Sequence, residues 1–438
     1  MKPETGNLKP EFRNRARTVF LVVVMLAALG ALAYEWRNLL TDYVLPLFAG
    51  RTGFFADFQF FHDGARRFLL SPDDLYAGNT RDGFLLIRSA ARIDYGYPPT
   101  AVLLFAPLAT LPLRWAFVVF TAFSAALVLA SVLLFRTLAR EELGEVEPRW
   151  AWIVLAVLVL SLGSVYVTFI FGQVNAVVLV LCLLYVLTVK RGQYVWAGLF
   201  LAAGFWLKFY PLYLLVLAPF ERRPLRLLLS AGLWILTIPI VLLPFLPFHL
   251  YTEYFLKIYP ELARETAPHV YNQSLTGFLT RLLSPKSALF DWGPYVIDTR
   301  VRFVNGIATA VLLGWLAVNY HLQRERKLLH YACVLAVTPL IVTYGWGGTY
   351  MLAIPLVLIV LINALRRGPA GFALFAAVWL VLLLPAYRPF ALGDRFGGFV
   401  EHLYYSRYFY LVLLTVAAIT GSNLRRFVRD RKTDGSPC

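Results

Sequence analysis

The sequence predicts an all-α polytopic membrane protein, and three observations carry that prediction. Of 438 residues, 59% are hydrophobic and only 15% are charged, against about 25% charged in a soluble globular chain. Long apolar runs recur from Thr18 to Gly421, and a run of about 18 or more apolar residues reads as a transmembrane helix. The bases gather in short segments between these runs, at 2–17, 190–191, 221–226, 324–327, 366–367 and 425–432. That pattern sets membrane orientation, with Lys and Arg on the cytoplasmic side. The net charge of +16 therefore reflects topology and anionic lipid headgroups. No nucleic-acid module is present, so nucleic acid is not an expected partner.

Taken in order, the runs lay out one integral membrane domain over 1–438. Residues 18–34 form the first helix. Its basic flank and the small residues Ala31–Ala33 imitate a signal peptide, but the many spans that follow favour an uncleaved helix. A large external loop occupies 35–97. Helices and half-helices fill 98–248. Within them, 98–112 is proline-broken and short, a dip that does not cross. Spans are expected at 114–135, 150–171, 174–189 and 225–248. The run 194–220 is too short for two spans and is expected to break at "LKFYP" (207–211), which is tolerated only inside protein or along a cavity. A second external loop covers 249–302. The C-terminal helices fill 303–421, with spans at 303–320, 328–344, 351–364, 369–386 and 408–421, and 422–438 is a cytoplasmic tail. The sum is about ten full spans plus half-helices, with both termini inside. Cys182, Cys333 and Cys438 show neither disulfide nor metal spacing.

This topology collects polar groups from distant segments at the outer face: Asp57, "GQVN" (172–175), "YNQSL" (271–275), "YGW" (344–346) and "YRPF" (387–390), with Lys208 there or in mid-membrane. Asp57 opens the stretch "ADFQFFHDGARRF", in which Phe58, Phe61, Ala65 and Phe68 share one face of an amphipathic interfacial helix. Asp57 is either an N-cap or a functional carboxylate. Arg66 and Arg67 suit phosphate oxygens, or else lipid headgroups. His62 reads as a satisfied interfacial histidine. Lys208 stands among aromatics beside a helix breaker; a lysine so placed is expensive and usually has a partner. It either holds phosphate or snorkels to the interface. Gln173, Asn175, Asn272 and Gln273 suit sugar hydroxyls, and Tyr97, Tyr344 and Trp346 suit sugar faces. The alternative for the amides is helix capping or interhelical bonding. No spacing argues for a metal.

Five of these segments also carry a resemblance. "ADFQFFHDGARRFLLSPDDLY", "YGYPPTAVLLFAPLATLP", "FGQVNAVVLVL", "GLFLAAGFWLKFYPLYLL" and "YNQSLTGFLTRLL" together resemble glycosyltransferase family 87, polyprenol-phosphate-dependent enzymes of the GT-C superfamily. The likeness covers most of 50–360. It implies a GT-C-like bundle of ten to thirteen transmembrane helices, half-helices included, with amphipathic helices in the first external loop. It implies Asp57 as catalytic base, Lys208 at the donor phosphate, and Gln173, Asn175, Asn272 and Gln273 in the pocket. One departure stands out: some mannosyltransferase members carry histidines shortly after a late Trp, where this chain has Gly347 and Gly348.

The implied reaction moves a hexose, mannose first, from a polyprenyl-phosphate-sugar donor to a lipid-linked or envelope glycan acceptor. It takes place at the outer face of a bacterial-type inner membrane, with membrane lipids as surroundings and no cofactor. A lone carboxylate suits this chemistry. Glycoside hydrolysis needs an acid and a base, whereas a lipid phosphate leaves as a stable anion and only the acceptor hydroxyl needs a base. Two other readings share the basic pocket, a flippase for lipid-linked sugars and a non-catalytic assembly partner. The absence of an inverted repeat weighs against the flippase.

Overall fold

The computed structural model describes residues 10–49, 56–76, 95–146, 148–284, 295–367, 369–383 and 406–433. "YRPF" (387–390), Cys438 and part of each external loop lie outside these residues. The described chain is almost wholly helical, with one two-stranded ribbon.

Helix α1 (Pro10–Asn38) runs on through a π-helical stretch to Phe48. Helix α2 (Ala56–Leu70) follows. Its stripe Phe58, Phe61, Ala65 and Phe68 is buried, as amphipathic spacing requires. Phe61 stacks on Phe105 of α3 (Val102–Ala109), with ring centroids 4.1 Å apart. His62 is buried, and its Nε2 lies 3.0 Å from the Leu111 carbonyl oxygen, in the turn before α4 (Leu113–Leu143). Helices α5 (Ala151–Leu160) and α6 (Gly163–Phe171) meet at a bend of 51°. Helix α7 (Asn175–Lys190) and α8 (Tyr194–Phe205) lead to a 3-10 helix, Tyr210–Phe220, and then to α9 (Pro224–Leu242).

After α9, short helical turns from Phe248 to Arg264 lead to β1 (Glu265–Thr266), which pairs antiparallel with β2 (Tyr295–Val296). Helix α10 (Leu275–Leu283) lies between the two strands. Helices α11 (Thr299–Leu322), α12 (Lys327–Ile341), α13 (Ile354–Arg366), α14 (Pro369–Leu383) and α15 (Arg407–Thr433) complete the bundle.

Among the described residues, five helices are long and apolar enough to cross a membrane, or six if the bent pair α5–α6 is one span. The other apolar helices run 10–17 residues, the length of half-helices. The region expected to cross as 150–171 is bent at Ser161 and Leu162, and 194–220 is interrupted at Lys208. Such breaks free backbone groups that lipid cannot satisfy, and the chain supplies partners for them. Thr100 Oγ1 donates to the Trp206 carbonyl at 2.6 Å. Pro239 inside α9 has no N–H and so leaves the Ile235 carbonyl without its helical donor. The Trp206 indole N–H donates to that carbonyl at 3.0 Å. One residue at the break therefore ties "PPT", α8 and α9 together.

The basic segments at 190–191, 221–226, 324–327 and 366–367 meet at one end of the bundle. Glu221 is buried and accepts from Lys327 Nζ, the Tyr320 hydroxyl and the Tyr331 hydroxyl. Glu142 accepts the backbone N–H groups of Leu328 at 2.9 Å and Leu329 at 3.2 Å, capping α12, and lies 3.6 Å from Lys190 Nζ. Lys190 and Asn175 are opposite ends of α7, about 22 Å apart at 1.5 Å per residue. Glu221→Ala strands a half-buried ammonium and two phenols. It is expected to destabilise the fold by about 3–5 kcal/mol, read as a lowered melting temperature in detergent, with Glu221→Gln less severe.

Candidate active site

At the other end of α7, a continuous hydrogen-bonded chain joins a carboxylate to an ammonium. Lys208 Nζ donates to Asn175 Oδ1 at 3.0 Å. Asn175 Nδ2 donates to Gln173 Oε1 at 2.5 Å. Gln173 Nε2 donates to Asp57 Oδ2. The direction of the chain is dictated by its ends. An ammonium has only donors, so Asn175 must turn its oxygen to Lys208. An ionised carboxylate has only lone pairs, so Gln173 must turn its amide N–H to Asp57. Both amides then point the same way, and each bond polarises the next.

Local sequence makes this possible. Helix α6 stops at Gly172, which adopts φ +59°. The Gly172 N–H bonds the Phe169 carbonyl at 3.1 Å and the Gln173 N–H bonds the Thr168 carbonyl at 3.0 Å, a Schellman cap. A Cβ on Gly172 would also lie 2.5 Å from Phe58 Cβ, beside Asp57. Glycine thus brings α6 against α2 and aims Gln173 at the carboxylate. Asn175 then opens α7, buried together with Gln173. On the far side, a Cβ on Gly348 would sit 2.9 Å from Gln173 Oε1 and 3.2 Å from Asn175 Nδ2. The bare backbone there closes the amide pair from behind.

Asp57 and Lys208 both line a cavity of about 320 Å³, within the range of small-ligand sites. Its walls are rich in tyrosine, including Tyr97, Tyr210, Tyr254 and Tyr344, with Trp346 and Glu265 alongside. Lys208 Nζ stands 5.6 Å from the Tyr97 ring centroid and 5.3 Å from that of Tyr210, within cation–π range. Burial pushes the Asp57 carboxyl up from its ordinary value, while the Lys208 charge and the Gln173 hydrogen bond pull it down. The site therefore holds a carboxylate of raised basicity and a cation on one network.

The model of glycosyltransferase family 87 matches residues 95–343, more than half of the chain. The chain belongs to glycosyltransferase family 87. It is accordingly a glycosyltransferase and a membrane protein. Comparison with curated proteins finds no match. The matched stretch takes in Tyr97, Gln173, Asn175, Lys208 and Glu265, while Asp57 and Trp346 flank it.

The structure sorts the residues that the sequence singled out for this glycosyltransferase. Asp57, Lys208, Tyr97, Tyr344 and Trp346 line one cavity. Gln173 and Asn175 are not among its lining residues; they connect Asp57 to Lys208. Arg66 and Arg67 do not reach it. They lie two to three turns further along α2, about 14 Å from Asp57 by helical rise, and Arg66 is exposed. Asn272 and Gln273 are fully buried away from the cavity lining. Asn272 Nδ2 donates to Thr266 Oγ1, the Ala267 carbonyl and the Thr343 carbonyl, while its Oδ1 accepts from Ser274 and the Gly345 N–H. Its bonding capacity goes into holding the 343–345 segment, not a sugar. Gln273 likewise donates to the Val270 carbonyl at 2.6 Å. Arg281, buried on α10, donates to the His269 and Asn272 carbonyls and to Ser406 Oγ, clamping the same loop.

Residues that the sequence reading passed over are Glu265 and Tyr210. Tyr210 carries a usable signal, two residues after Lys208. Glu265 sits in "PELARETAP", where a charge reads as solvated. Gly172→Ala forces a left-handed alanine against Phe58. It is expected to cost at least about 2 kcal/mol, seen as a lowered melting temperature, and to reduce transferase activity because Gln173 is displaced.

Proposed function

We propose that this enzyme moves a hexose, mannose in the first instance, from a polyprenyl-phosphate donor to a lipid-linked or envelope glycan acceptor. The observation that carries the reading is the Asp57–Gln173–Asn175–Lys208 chain, with its base and its cation in one cavity. Asp57 takes the proton of the acceptor hydroxyl as that oxygen attacks the anomeric carbon. The carbon–oxygen bond to phosphate breaks on the opposite face, its electron pair leaves with the polyprenyl phosphate, and the centre inverts. Lys208 faces the charge that builds on the departing phosphate. A monophosphate leaving group is served by this one cation, so no cofactor enters the scheme.

A second cavity supports a lipid donor. It measures about 600 Å³, is wholly apolar, and is lined by Phe205, Trp206, Ile235, Pro239, Phe255 and Leu256. Phe209, in the wall of the polar cavity, packs against Phe255 in the wall of this one, with ring centroids 6.1 Å apart. We assign it to the polyprenyl chain. In the proposed orientation the charge cluster of Lys190, Glu221 and Lys327 faces the cytoplasm with both termini, and the cavity opens outside. The bundle is then a GT-C-like one of ten to thirteen helices, half-helices included, in a bacterial-type inner membrane.

Radiolabelled polyprenyl-phosphate mannose, supplied with an envelope-lipid extract to protein in lipid nanodiscs, tests the scheme. Asp57→Asn is expected to lower transfer by about 10²–10⁴-fold, and the product anomer should be inverted. Equal transfer by wild type and variant would remove Asp57 from the chemistry. The pH profile gives an independent check. Activity falls as pH drops through the pKa of the base, and burial raises that pKa. The acid limb is therefore expected above the ordinary carboxylate range. Gln173→Met removes a hydrogen bond that favours the charged form, so the limb should move to still higher pH.

A further inference from the structure

The break after α8 contributes to both cavities. Leu207, Lys208 and Phe209 line the polar one, and Phe205 and Trp206 line the apolar one. Trp206 is buried and tied at both ends. Its carbonyl accepts from Thr100 Oγ1 at 2.6 Å, close in sequence to Tyr97 and Pro98 of the polar wall. Its indole N–H crosses to α9 and donates to the Ile235 carbonyl at 3.0 Å. Pro239 lacks the N–H that α9 would otherwise aim at that carbonyl, which leaves it open to the indole. Ile235 and Pro239 line the apolar cavity beside Trp206. The indole also packs edge-on against Tyr251 and Phe255, with centroids 5.5 Å and 5.9 Å away. From this anchored residue the chain turns at once. The Leu207 and Lys208 N–H groups both bond the Gly204 carbonyl, at 3.2 Å and 2.9 Å. Pro211 closes the turn on Gly204, where a Cβ would lie 2.8 Å from Pro211 Cγ. Lys208 thus leaves the turn two residues after the indole and reaches Asn175 Oδ1 at 3.0 Å.

We propose that Trp206 is a positioning residue for Lys208: an isoprenoid chain lying along its indole is registered to the ammonium that meets the chain's phosphate. This role rests on the donor reading above and adds the residue that joins its two halves. The hydrocarbon and the phosphate of one ligand are covalently linked, so once the chain is seated the phosphate binds as an intramolecular event. That gain is realised only if the apolar wall and the cation stand at a fixed separation, since small misplacements are costly. Two peptide units separate Trp206 from Lys208, and the ties to Thr100 and Ile235 hold the first of these residues against two neighbouring elements. Without the indole tie, the apolar surface and the ammonium are both still present, but their separation is no longer set. The loss falls on the phosphate's share of binding and spares the chain's.

The test compares farnesyl phosphate with farnesol, which share a chain and differ in the phosphate. Both dissociation constants are measured by displacement of radiolabelled farnesyl phosphate from the full chain in lipid nanodiscs. Their ratio reads the phosphate's share of binding. Wild type is expected to prefer the phosphate by about 10–100-fold, as for hydrogen bonds to a charged group, and Lys208→Met to erase that preference. Trp206→Phe keeps an aromatic wall and deletes the N–H. It should narrow the preference by about fivefold or more with little change in farnesol binding. It also strands the Ile235 carbonyl, so the fold itself suffers. Pro239→Ala returns to α9 an N–H for that carbonyl. The double variant Trp206→Phe/Pro239→Ala should therefore regain the wild-type melting temperature while its preference stays narrow. A merely structural role predicts that both recover. A full preference in the double variant overturns the inference, and its loss in Lys208→Met leaves the donor reading standing in that case. A preference that survives Lys208→Met, or is missing from wild type, removes Lys208 from the phosphate and overturns both.

Discussion

The site depends on one constraint: a carboxylate and an ammonium, out of contact with each other, must both be satisfied near a membrane. Either charge alone in a low-dielectric setting is expensive. Two primary amides bridge them, each accepting on one side and donating on the other. The consequence is rigidity of direction. Neither Gln173 nor Asn175 can flip without setting donor against donor or oxygen against oxygen. A direct Asp57–Lys208 contact would neutralise the carboxylate and occupy the cation. The amide bridge keeps one face of each open to the cavity.

The rest of the bundle serves to bring that bridge together. Its members come from α2, from the α6–α7 junction and from the break after α8. Each break releases backbone groups, and three of them find nearby partners. The Schellman cap closes α6, Thr100 closes α8, and Trp206 answers the carbonyl freed by Pro239. Irregular backbone at depth is tolerated because it faces protein or cavity. Long uninterrupted helices could not deliver these side chains to one place, which is why many of the apolar segments are short. The far end of the bundle is held differently, by buried and half-buried ion pairs at Glu142 and Glu221.

Much of this was legible in the sequence, and the failures have physical causes. The stripe Phe58, Phe61, Ala65 and Phe68 announced α2, because period and chemistry agree there. Lys208 announced itself by its cost in an apolar setting. Asn272 and Gln273 look like Gln173 and Asn175 on paper, since all are amides near helix starts. Only packing separates them: Asn272 spends both ends of its amide on backbone and hydroxyl partners, whereas the other pair bridges two charges. Arg66 and Arg67 were attractive as phosphate ligands by type, but a helix carries residue 66 well away from residue 57. Glu265 escaped notice because a charge in a mixed polar stretch looks solvated until tertiary contacts bury it. Span counting was limited by the same blindness, as hydropathy does not register a bend at Ser161.

Gly348 makes three positions of the sequence interdependent. Its missing side chain is the space in which the Gln173 and Asn175 amides lie. Any side chain at 348 would enter only if an amide at 173 or 175 withdrew. A change at 348 therefore has to be matched at 173 or 175, and loss of either amide leaves Asp57 or Lys208 without its hydrogen-bond partner.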